Sequence, residues 1–429
     1  MRPALYRVPL ASRRPAGRQW VMANQDQPED DLDRLVDELE TSSANEPLNE
    51  RDREVPSRAD APPQVASGSF NGLLRRWLAQ LVERQGSDLL LVSGVPPSAR
   101  IEGKVIALGD AGIVDGPTIE GAVLPELSRL AQQRYRDVHV SDASLHVPGL
   151  GRFRVNLHRE RGRPAAAIRA LPTRPPRLNE LNLPPSVDQL TRLPRGLILI
   201  GGPTGSGKST TLAAIVEAIN RRTARHVVSI EDPIEFEHPH QRSIVEQVEI
   251  GEDAPDFPTA LRSALRQAPD VIVVGEMRDI ETMQIAVAAA ETGHLVLSTV
   301  HSPDVTSTIA RVADSFPEER QNTVRQGLSV GLAAVVTQML LPRAGGGLVP
   351  AAEMLLVGYG ARQHIRKNAL QHLHQEITLT RRSGSFTFED SLAHLVRSGL
   401  VDREEALSRA FHRFEFEEAL RAGTALPGA

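Results

Sequence analysis

The chain has 429 residues, of which 40% are hydrophobic, 24% are charged and 3% are aromatic, and its formal net charge is −5. This length predicts two or three domains rather than one core. The negative charge and the scarcity of aromatic rings argue against a nucleic-acid motor, which needs a basic groove and stacking platforms. The absence of cysteine excludes disulfides and thiolate metal sites.

The first 69 residues lack the apolar content that a core requires. They are rich in proline, arginine, aspartate, glutamate and serine, so burial could not offset the entropy lost on ordering. We therefore predict a disordered extension over residues 1–69, in which DDLDRLVDELE at 30–40 could form one short helix. Arg13 and Arg14 are not followed by the apolar stretch of a secretory signal. Met1 and Met22 are both candidate start residues.

A small α+β domain is predicted over residues 70–172. In NGLLRRWLAQLVERQG, leucine and tryptophan recur at helical spacing, and Gly86 follows where the helix should end. The runs LLLVSG, ARIEGKVIAL, ASLHVP and GRFRVNLHRE alternate like strands, with a helical stretch, PTIEGAVLPELSRLAQQRYRDV, between them. The proline-rich residues 173–194 then predict a linker.

Residues 195–410 change to a pattern of strands that alternate with helices. The β-rich runs are GLILIGG, HVVSIED, RSIVEQV, DVIVVGE and HLVLSTV. This alternation predicts an α/β fold with a mostly parallel sheet covered on both faces. From about residue 304 we expect helices, broken by PRAGGG at 342–347, and residues 411–429 are expected to form a C-terminal tail. The apolar run LSVGLAAVVTQMLL at 328–341 is too short to span a bilayer, so no integral membrane segment is predicted.

The stretch GPTGSGKST fits the phosphate-loop pattern G-x-x-x-x-G-K-[ST] and lies between a predicted strand and a predicted helix. The glycines allow backbone amides to turn toward a phosphate, and the helix begins with free N–H groups. Lys208 would neutralise the β and γ phosphates, and Ser209 would ligate Mg²⁺. The predicted nucleotide-binding residues of the loop are Gly202, Pro203, Thr204, Gly205, Ser206, Gly207, Lys208, Ser209 and Thr210.

Carboxylates follow two of the predicted strands. HVVSIEDPIEFEH places Glu231, Asp232 and Glu235 at the end of one strand, where side chains of such sheets face the ligand crevice. DVIVVGEMRD places Glu276 after another strand, in the position of an acid that contacts Mg²⁺ or its water shell. Asp270 begins that strand and is expected to cap it or to face solvent. A metal site of Ser209 and Glu276 is therefore predicted.

Two histidines stand at the two ends of one predicted strand. In ETGHLVLSTVH, His294 and His301 are seven residues apart, with Glu291 just before them. A lone histidine at such a position is more often a hydrogen-bonded core residue. In a nucleotide-binding domain, we interpret this pair as sensors of the bound nucleotide. Zinc is not expected here, because no third ligand has suitable spacing nearby.

These four stretches, in this order, resemble the type II/IV secretion ATPase superfamily and, within it, the PilT-like branch of type IV pilus retraction ATPases. The resemblance runs from about Gly86 to Leu407. It implies a PAS-like α+β N-terminal domain followed by a RecA-like P-loop ATPase domain with a helical C-terminal part. It also implies a homo-hexameric ring that hydrolyses ATP with Mg²⁺.

The resemblance also assigns roles to single residues. Glu235 would be the catalytic glutamate that orients or activates water, and Glu276 would be the Walker B acid. His294 and His301 would report the nucleotide state between protomers. Arginines of the smaller domain would reach a phosphate across the subunit interface as fingers, and the candidates are Arg152, Arg154 and Arg169.

Several branches of this superfamily share the same motor. Assembly and secretion ATPases generally carry a four-cysteine metal-binding segment, so the absence of cysteine favours retraction. The retraction branch carries Ala-Ile-Arg-Asn-Leu-Ile-Arg-Glu where this chain has GARQHIRK at 360–367, and only Arg362, Ile365 and Arg366 match. An accessory PilU-like role therefore stays open. The expected partner is an inner-membrane pilus platform protein, with the ATPase in the cytoplasm at the inner face of the membrane.

Overall fold

The computed structural model describes residues 72–109, 112–172 and 174–423. The predicted N-terminal extension and its short helix at 30–40 lie outside the described residues, as do residues 424–429 of the predicted tail. The domain boundaries given above stay predictions. Within the described residues, the chain forms two separate sheets, each with its own hydrophobic core.

The N-terminal part is an antiparallel six-stranded sheet with helices packed on it. Its strand order is β3-β2-β1-β6-β5-β4. The elements are α1 (Gly72–Glu83), β1 (Asp88–Leu91), β2 (Ser98–Ile101), β3 (Lys104–Ala107), α2 (Gly116–Val123), α3 (Arg129–Val138), β4 (Ser141–Val147), β5 (Gly151–Glu160) and β6 (Arg163–Ala170).

Local sequence signals set the ends of these helices. Leu74, Trp77 and Leu81 form the buried stripe of α1, as their helical spacing predicts. The Asp115 side chain caps α2 by accepting from the Thr118 N–H at 2.9 Å. The stretch predicted as one helical region is divided into α2 and α3, because a proline-containing 3₁₀ turn at Leu124–Glu126 interrupts it.

The C-terminal part is built on a seven-stranded sheet of order β13-β12-β7-β11-β10-β8-β9. All neighbouring pairs are parallel except β12 and β13. Its first elements are β7 (Gly196–Gly201), α4 (Lys208–Arg222), β8 (His226–Glu231), β9 (Ile244–Glu249), α5 (Phe257–Ala264), β10 (Val271–Val274), α6 (Ile280–Glu291) and β11 (Leu295–Val300). They are followed by α7 (Val305–Asp314), α8 (Glu318–Gly331), β12 (Leu332–Pro342), β13 (Leu348–Leu356), α9 (Tyr359–Arg366), α10 (Leu373–Leu379), α11 (Phe388–Arg397), α12 (Arg403–Arg409) and α13 (Arg413–Ala422).

Both faces of the large sheet are covered, as predicted. Successive side chains of a strand point to opposite faces, and in β7 Leu197 and Leu199 join one hydrophobic cluster while Ile198 and Ile200 join the other. The residues connecting the two sheets include a 3₁₀ segment at Pro185–Arg192, and its Val187 packs into the second cluster. Part of the proline-rich connection is therefore packed on the large sheet.

The expectation of a purely helical region after residue 304 was wrong. Residues 332–342 and 348–356 form a strand hairpin that extends the sheet through parallel pairing of β12 with β7. PRAGGG forms its turn, in which Gly345, Gly346 and Gly347 have φ values of 88°, 103° and 81°. A strand buried on both faces lacks the alternation that would distinguish it from a buried helix. Among the described residues, no helix is both long and apolar enough to cross a bilayer.

A carboxylate is buried in the hairpin, where β13 meets the start of α7. Glu353 on β13 is 8% exposed and accepts hydrogen bonds from the Val305 N–H at 3.1 Å and the Thr337 hydroxyl at 3.3 Å. Burial, with smaller contributions from the negative charges of Glu389 and Asp304, raises the pKa of Glu353 to about 7. Glu353 therefore holds a proton in the folded state at pH values where it would be ionised in the unfolded chain.

This raised pKa predicts a specific pH dependence of stability. The contribution of Glu353 to the free energy of unfolding is complete below about pH 4.5. It is lost as the pH rises through about 7, because between these values the carboxyl ionises in the unfolded chain but not in the folded protein. Glu353→Gln is neutral in both states, so its stability relative to wild type should increase by up to about 3 kcal/mol over that range. Urea unfolding of both proteins at pH 5 and pH 8 measures the difference. A constant difference between the two proteins contradicts the assignment.

Candidate active site

A cavity of about 640 Å³ opens at the carboxyl ends of the parallel strands. This edge of an open α/β sheet is where ligands generally bind. The phosphate loop, the ends of β8, β10 and β11, and two arginines of the small sheet supply its lining. Most of the residues predicted from separate motifs therefore meet in one space.

The phosphate loop has a backbone that side chains would disturb. Gly202 has a φ of 149°, and a Cβ atom there would lie 2.4 Å from the Ser206 Oγ and 2.5 Å from the Gln338 carbonyl oxygen. Gly207 caps α4 with a φ of 85°. The helix therefore begins inside the cavity, with its first N–H groups available to an anion. The loop residues that line the cavity are Thr204, Gly205, Ser206, Gly207, Lys208, Ser209 and Thr210.

Lys208 folds back over its own loop. Its Nζ donates to the carbonyl oxygens of Gly202 and Pro203, each at 3.0 Å, and lies 3.4 Å from Nδ1 of His301. Desolvation lowers the pKa of Lys208, while the charges of Glu276 and Glu235 oppose that shift. The ammonium group is thus held beside the place where a phosphate bound to the loop would lie.

Gln338 is a supporting residue that the sequence did not reveal. Its Nε2 donates to the Ser206 carbonyl oxygen at 2.6 Å, and its Oε1 accepts from the Thr211 hydroxyl at 2.8 Å. Gln338 lies on β12, more than 120 residues after the loop. It joins the loop to the first turn of α4, and no local pattern in the sequence signals this contact.

Glu276 lines the cavity and contacts two other residues of its wall, His301 and Arg278. Its Oε1 is 3.0 Å from Nε2 of His301, and its Oε2 is 2.9 Å from the guanidinium of Arg278. The hydrogen bond with Glu276 is the main reason that the pKa of Arg278 is raised. Asp279, the following acid, caps α6 by accepting from the Thr282 N–H at 2.7 Å. Arg278 therefore belongs to the site and Asp279 to the helix.

All three acids predicted at the end of β8 line the cavity, namely Glu231, Asp232 and Glu235. Glu231 accepts from the Ser229 hydroxyl at 2.7 Å and from Nε2 of Gln247 at 3.0 Å. Desolvation raises the pKa of Glu231 despite these hydrogen bonds. Glu235 is partly exposed and close enough to Lys208 to affect its pKa. Among these acids, Glu235 is thus both accessible to solvent and electrostatically linked to the loop lysine.

The two predicted histidine sensors lie far apart. His301 lines the cavity, but His294 precedes β11 at the opposite edge of the sheet, where its Nδ1 lies 3.1 Å from the Ala289 carbonyl oxygen. The six residues of β11 separate them, which corresponds to roughly 20 Å. Asp270 also lies at that far edge and accepts from the His226 N–H at 2.8 Å, as expected of a capping residue.

The three predicted arginines have different surroundings. Arg154 and Arg169 line the cavity of their own chain. Arg152 does not line it and instead pairs with Glu249 at 2.6 Å. The Arg152 and Glu249 side chains are 15% and 7% exposed, and Glu249 also accepts from the Ile234 N–H. Arg152 thus holds the small sheet against the large one, whereas Arg154 and Arg169 face the site.

The donor groups of the cavity match an anion accompanied by a hard cation. Backbone N–H groups and Lys208 suit phosphate oxygens. The Ser209 hydroxyl and the Glu276 carboxylate provide the oxygen ligands that Mg²⁺ prefers, and both line the cavity. Acids lying beside the cation position could activate a water molecule. This combination can cleave a phosphoanhydride bond by hydrolysis.

Comparison with known proteins agrees with this chemistry. A family described as type II/IV secretion system protein matches residues 162–392. The "Type IV pilus retractation ATPase PilT" of Pseudomonas aeruginosa is 38% identical over 78% of this chain and 96% of the relative. The "Type IV pilus ATPase PilU" of the same organism is also 38% identical, over 80% of this chain and 88% of the relative.

A solved structure gives the same result for the fold. The crystal structure of the "Pilus Retraction Motor PilT and Bound ADP" superposes with a TM-score of 0.74 at 41% identity. The match covers 80% of this chain and 98% of that structure. The family match covers more than half of the chain, and the relatives align over nearly their whole length. The chain therefore belongs to the type II/IV secretion system protein family.

Proposed function

We propose that this protein is a homo-hexameric, Mg²⁺-dependent ATPase that drives retraction of a type IV pilus. The observation that carries the proposal is the cavity, in which the phosphate loop, Glu235, Glu276 and His301 meet. The relatives described as a pilus retraction ATPase and as an ADP-bound retraction motor support the same activity. The absence of cysteine from the sequence favours retraction over assembly.

The residues divide the chemistry among them. Lys208 and the loop amides neutralise the β and γ phosphates of ATP, and Thr204, Ser206 and Thr210 complete the loop around them. Ser209 and Glu276 would hold Mg²⁺, which supplies charge neutralisation between the phosphates. Glu235 orients the attacking water and accepts its proton. Because phosphoryl transfer needs mainly positioning and charge neutralisation, these few groups are sufficient.

The two sheets provide the parts for converting hydrolysis into movement. We assign residues 70–172 to a PAS-like domain and 195–410 to a RecA-like domain. The linker 173–194 joins them, and the hinge lies in its first part, because Pro185–Arg192 packs on the large sheet. Two contacts join the N-terminal part to the residues at the end of β9. Arg152 donates to Glu249 at 2.6 Å, and the Ser128 hydroxyl donates to Glu252 at 2.7 Å. A change of these contacts on hydrolysis would move one domain relative to the other, and this movement would pull on the pilus machinery. His301, which contacts both Lys208 and Glu276, would report the nucleotide state.

A PilU-like accessory role is the second candidate. The relative described as PilU matches with the same identity as the PilT relative, and GARQHIRK at 360–367 departs from the retraction pattern. In the structure, α9 contains residues 360–366 of this stretch, and Arg362 donates to the Ser329 carbonyl oxygen at 2.8 Å. Arg362, which matches the retraction pattern, therefore fixes α9 to α8 in this chain. Either role would place the protein in the cytoplasm, against an inner-membrane platform protein.

The test combines hydrolysis with motility. Lys208→Ala should lower kcat for ATP by about 10²-fold or more, because it removes a charge aimed at the transferred phosphoryl group. Cells lacking the gene should keep surface pili but lose twitching, and the wild-type gene should restore twitching while the Lys208→Ala gene should not. Magnesium-dependent hydrolysis that survives Lys208→Ala contradicts the ATPase assignment. Normal twitching and pilus number in the deletion strain contradict the retraction role.

A complementation experiment separates the two candidates. The gene of this protein is expressed in a strain from which it and all other retraction ATPase genes have been deleted. If this protein alone restores twitching there, it is the retraction motor. If it restores twitching only together with a second retraction ATPase, the accessory role is correct.

A further inference from the structure

A cluster of histidine and glutamate side chains lies outside the nucleotide cavity, where the C-terminal helix α13 meets α10. It consists of His374, His412 and Glu415, and one potential ligand atom from each lies within 4.8 Å of the others. Nε2 of His374 is 3.0 Å from a carboxylate oxygen of Glu415, and the two imidazole rings are 4.5 Å apart between centroids. No other such group occurs within residues 72–109, 112–172 and 174–423.

We propose that His374, His412 and Glu415 form a Zn²⁺ site that fastens the C-terminal helix to the rest of the protein. Two imidazole nitrogens and one carboxylate oxygen are a donor set that Zn²⁺ binds well, with water in the fourth position. Ligand atoms on a tetrahedral zinc lie about 3.3 Å apart, given bond lengths of about 2.0 to 2.1 Å. The present separations of 3.0 to 4.8 Å require only small side-chain movements to reach that arrangement.

The local structure favours a metal site over an ordinary ion pair. His412 stands immediately before α13, and Glu415 lies in its first turn, so both project from one helix end toward α10. A second carboxylate, Glu389, supports His412: it accepts from the His412 main-chain N–H at 2.9 Å and lies 3.6 Å from the ring Nδ1. The main-chain hydrogen bond fixes the position of His412, and a small rotation of the ring would bring its Nδ1 within hydrogen-bond distance of Glu389, as is typical of ligating imidazoles. A simple ion pair with His374 would require neither His412 nor Glu389.

The cluster is accessible to a metal ion from solvent. The side chains of His374 and Glu415 are 32% and 38% exposed, and that of His412 is 51% exposed. An ion can therefore reach them without unfolding of the surrounding helices. Two aromatic residues beside the site, Phe411 and Phe414, are 51% and 79% exposed. A protease that cleaves after aromatic residues can therefore reach this segment directly.

A histidine–glutamate pair between α9 and α10 provides a matched control. His364 on α9 lies 3.4 Å from Glu376 on α10, which repeats the histidine–glutamate pair of the proposed site. His364 and Glu376 belong to no group of three potential ligands in the described part of the chain. A variant at His364 therefore removes an imidazole next to a glutamate without touching the proposed site.

The first experiment measures zinc affinity. The full-length chain without a histidine tag is stripped with EDTA and titrated with ZnCl₂ against a chromophoric chelator, in the absence of nucleotide and Mg²⁺. Wild type and His364→Gln should bind one Zn²⁺ per chain with equal affinity. His374→Gln and His412→Gln should each bind it at least about tenfold more weakly. Failure of wild type to bind stoichiometric zinc, or an equal loss in His364→Gln and His412→Gln, overturns the proposal.

The second experiment tests the fastening itself. Zinc at ten times its dissociation constant should slow chymotrypsin cleavage after Phe411 and Phe414 about tenfold, because it binds only the closed arrangement. This protection should be present in wild type and His364→Gln and absent in His412→Gln. Cleavage rates unchanged by zinc in wild type would show that the ion does not fasten the helix. Circular dichroism of each variant without zinc checks that the fold is intact, so loss of protection cannot be attributed to unfolding.

Discussion

Glu235→Gln and Glu276→Gln should both abolish most ATP hydrolysis while leaving ATP binding intact, but for different reasons. Removal of the group that accepts the proton of water typically costs about 10²- to 10⁴-fold in rate, and we expect this loss in kcat for Glu235→Gln. Its requirement for Mg²⁺ should not change. Glutamine has nearly the shape of glutamate, so neither replacement should disturb the loop that holds the nucleotide.

Glu276→Gln should instead raise the Mg²⁺ concentration needed for half-maximal activity. The charge of Glu276 affects the pKa of Lys208, and its two oxygens contact His301 and Arg278. Its replacement removes the negative charge from the metal side of the site and weakens both contacts. We expect a loss of about 10²- to 10³-fold in kcat even at saturating Mg²⁺.

Steady-state hydrolysis across a Mg²⁺ titration and the binding of a fluorescent ATP analogue measure these effects. Glu246→Gln is the matched control, because Glu246 is a glutamate of the same sheet with a side chain 50% exposed, pairs with His226 away from the site and does not line the cavity. It should hydrolyse ATP at the wild-type rate. If Glu235→Gln changes the Mg²⁺ requirement and Glu276→Gln does not, the two roles are reversed.

Arg154→Ala and Arg169→Ala should each reduce ATP hydrolysis strongly, since an arginine that contacts the transferred phosphoryl group contributes about 10³- to 10⁵-fold. Both arginines line the cavity of their own chain. Arg169 is held by Asp88 through a hydrogen bond of 2.9 Å, which directs a side chain that is otherwise 66% exposed. Arg163→Ala is the control, because Arg163 is exposed, lies on the same strand as Arg169 and does not line the cavity. This variant should retain activity.

In the proposed hexamer, mixed rings would decide whether these arginines serve their own subunit or its neighbour. Arg169→Ala and Lys208→Ala subunits are mixed, allowed to assemble and assayed for hydrolysis. If the arginine acts within its own chain, every site in the mixed ring lacks one of the two groups and the mixture stays inactive. If it acts across the interface, as the family resemblance suggested, some sites regain both groups and activity returns. The cavity lining favours the first outcome.

Arg152→Ala should affect stability more than chemistry. The variant leaves Glu249 buried without its cation, and loss of one partner of a buried pair costs about 3 kcal/mol or more. We expect a lower unfolding midpoint in urea together with a smaller loss of kcat than in Arg154→Ala. A variant with normal stability and abolished hydrolysis would instead place Arg152 among the residues that contact the nucleotide.

Local patterns in the sequence were sufficient for much of the large sheet and its phosphate loop. Five of the six parallel strands, β7 to β11, are predicted because each is a short β-rich run between turn residues. The loop was identified because anion binding by backbone N–H groups requires glycine at fixed positions. The positions of Glu231, Asp232, Glu235 and Glu276 followed from strand direction, since the carboxyl ends of parallel strands share one edge. The same rule, applied to His294 and His301, would have placed them at opposite edges.

Long-range packing decided the rest. The hairpin of β12 and β13 was not recognised, because a strand buried on both faces carries no periodic signal. For the same reason Gln338 was not predicted, because its contact with the phosphate loop depends on the pairing of β12 with β7. Arg152 and Arg154 point to the same face of β5, and only the position of the second sheet determines that Arg152 meets Glu249 while Arg154 meets the cavity. The sequence by itself thus determined the chemical groups and their strand ends, whereas contacts between distant segments determined which groups face the nucleotide.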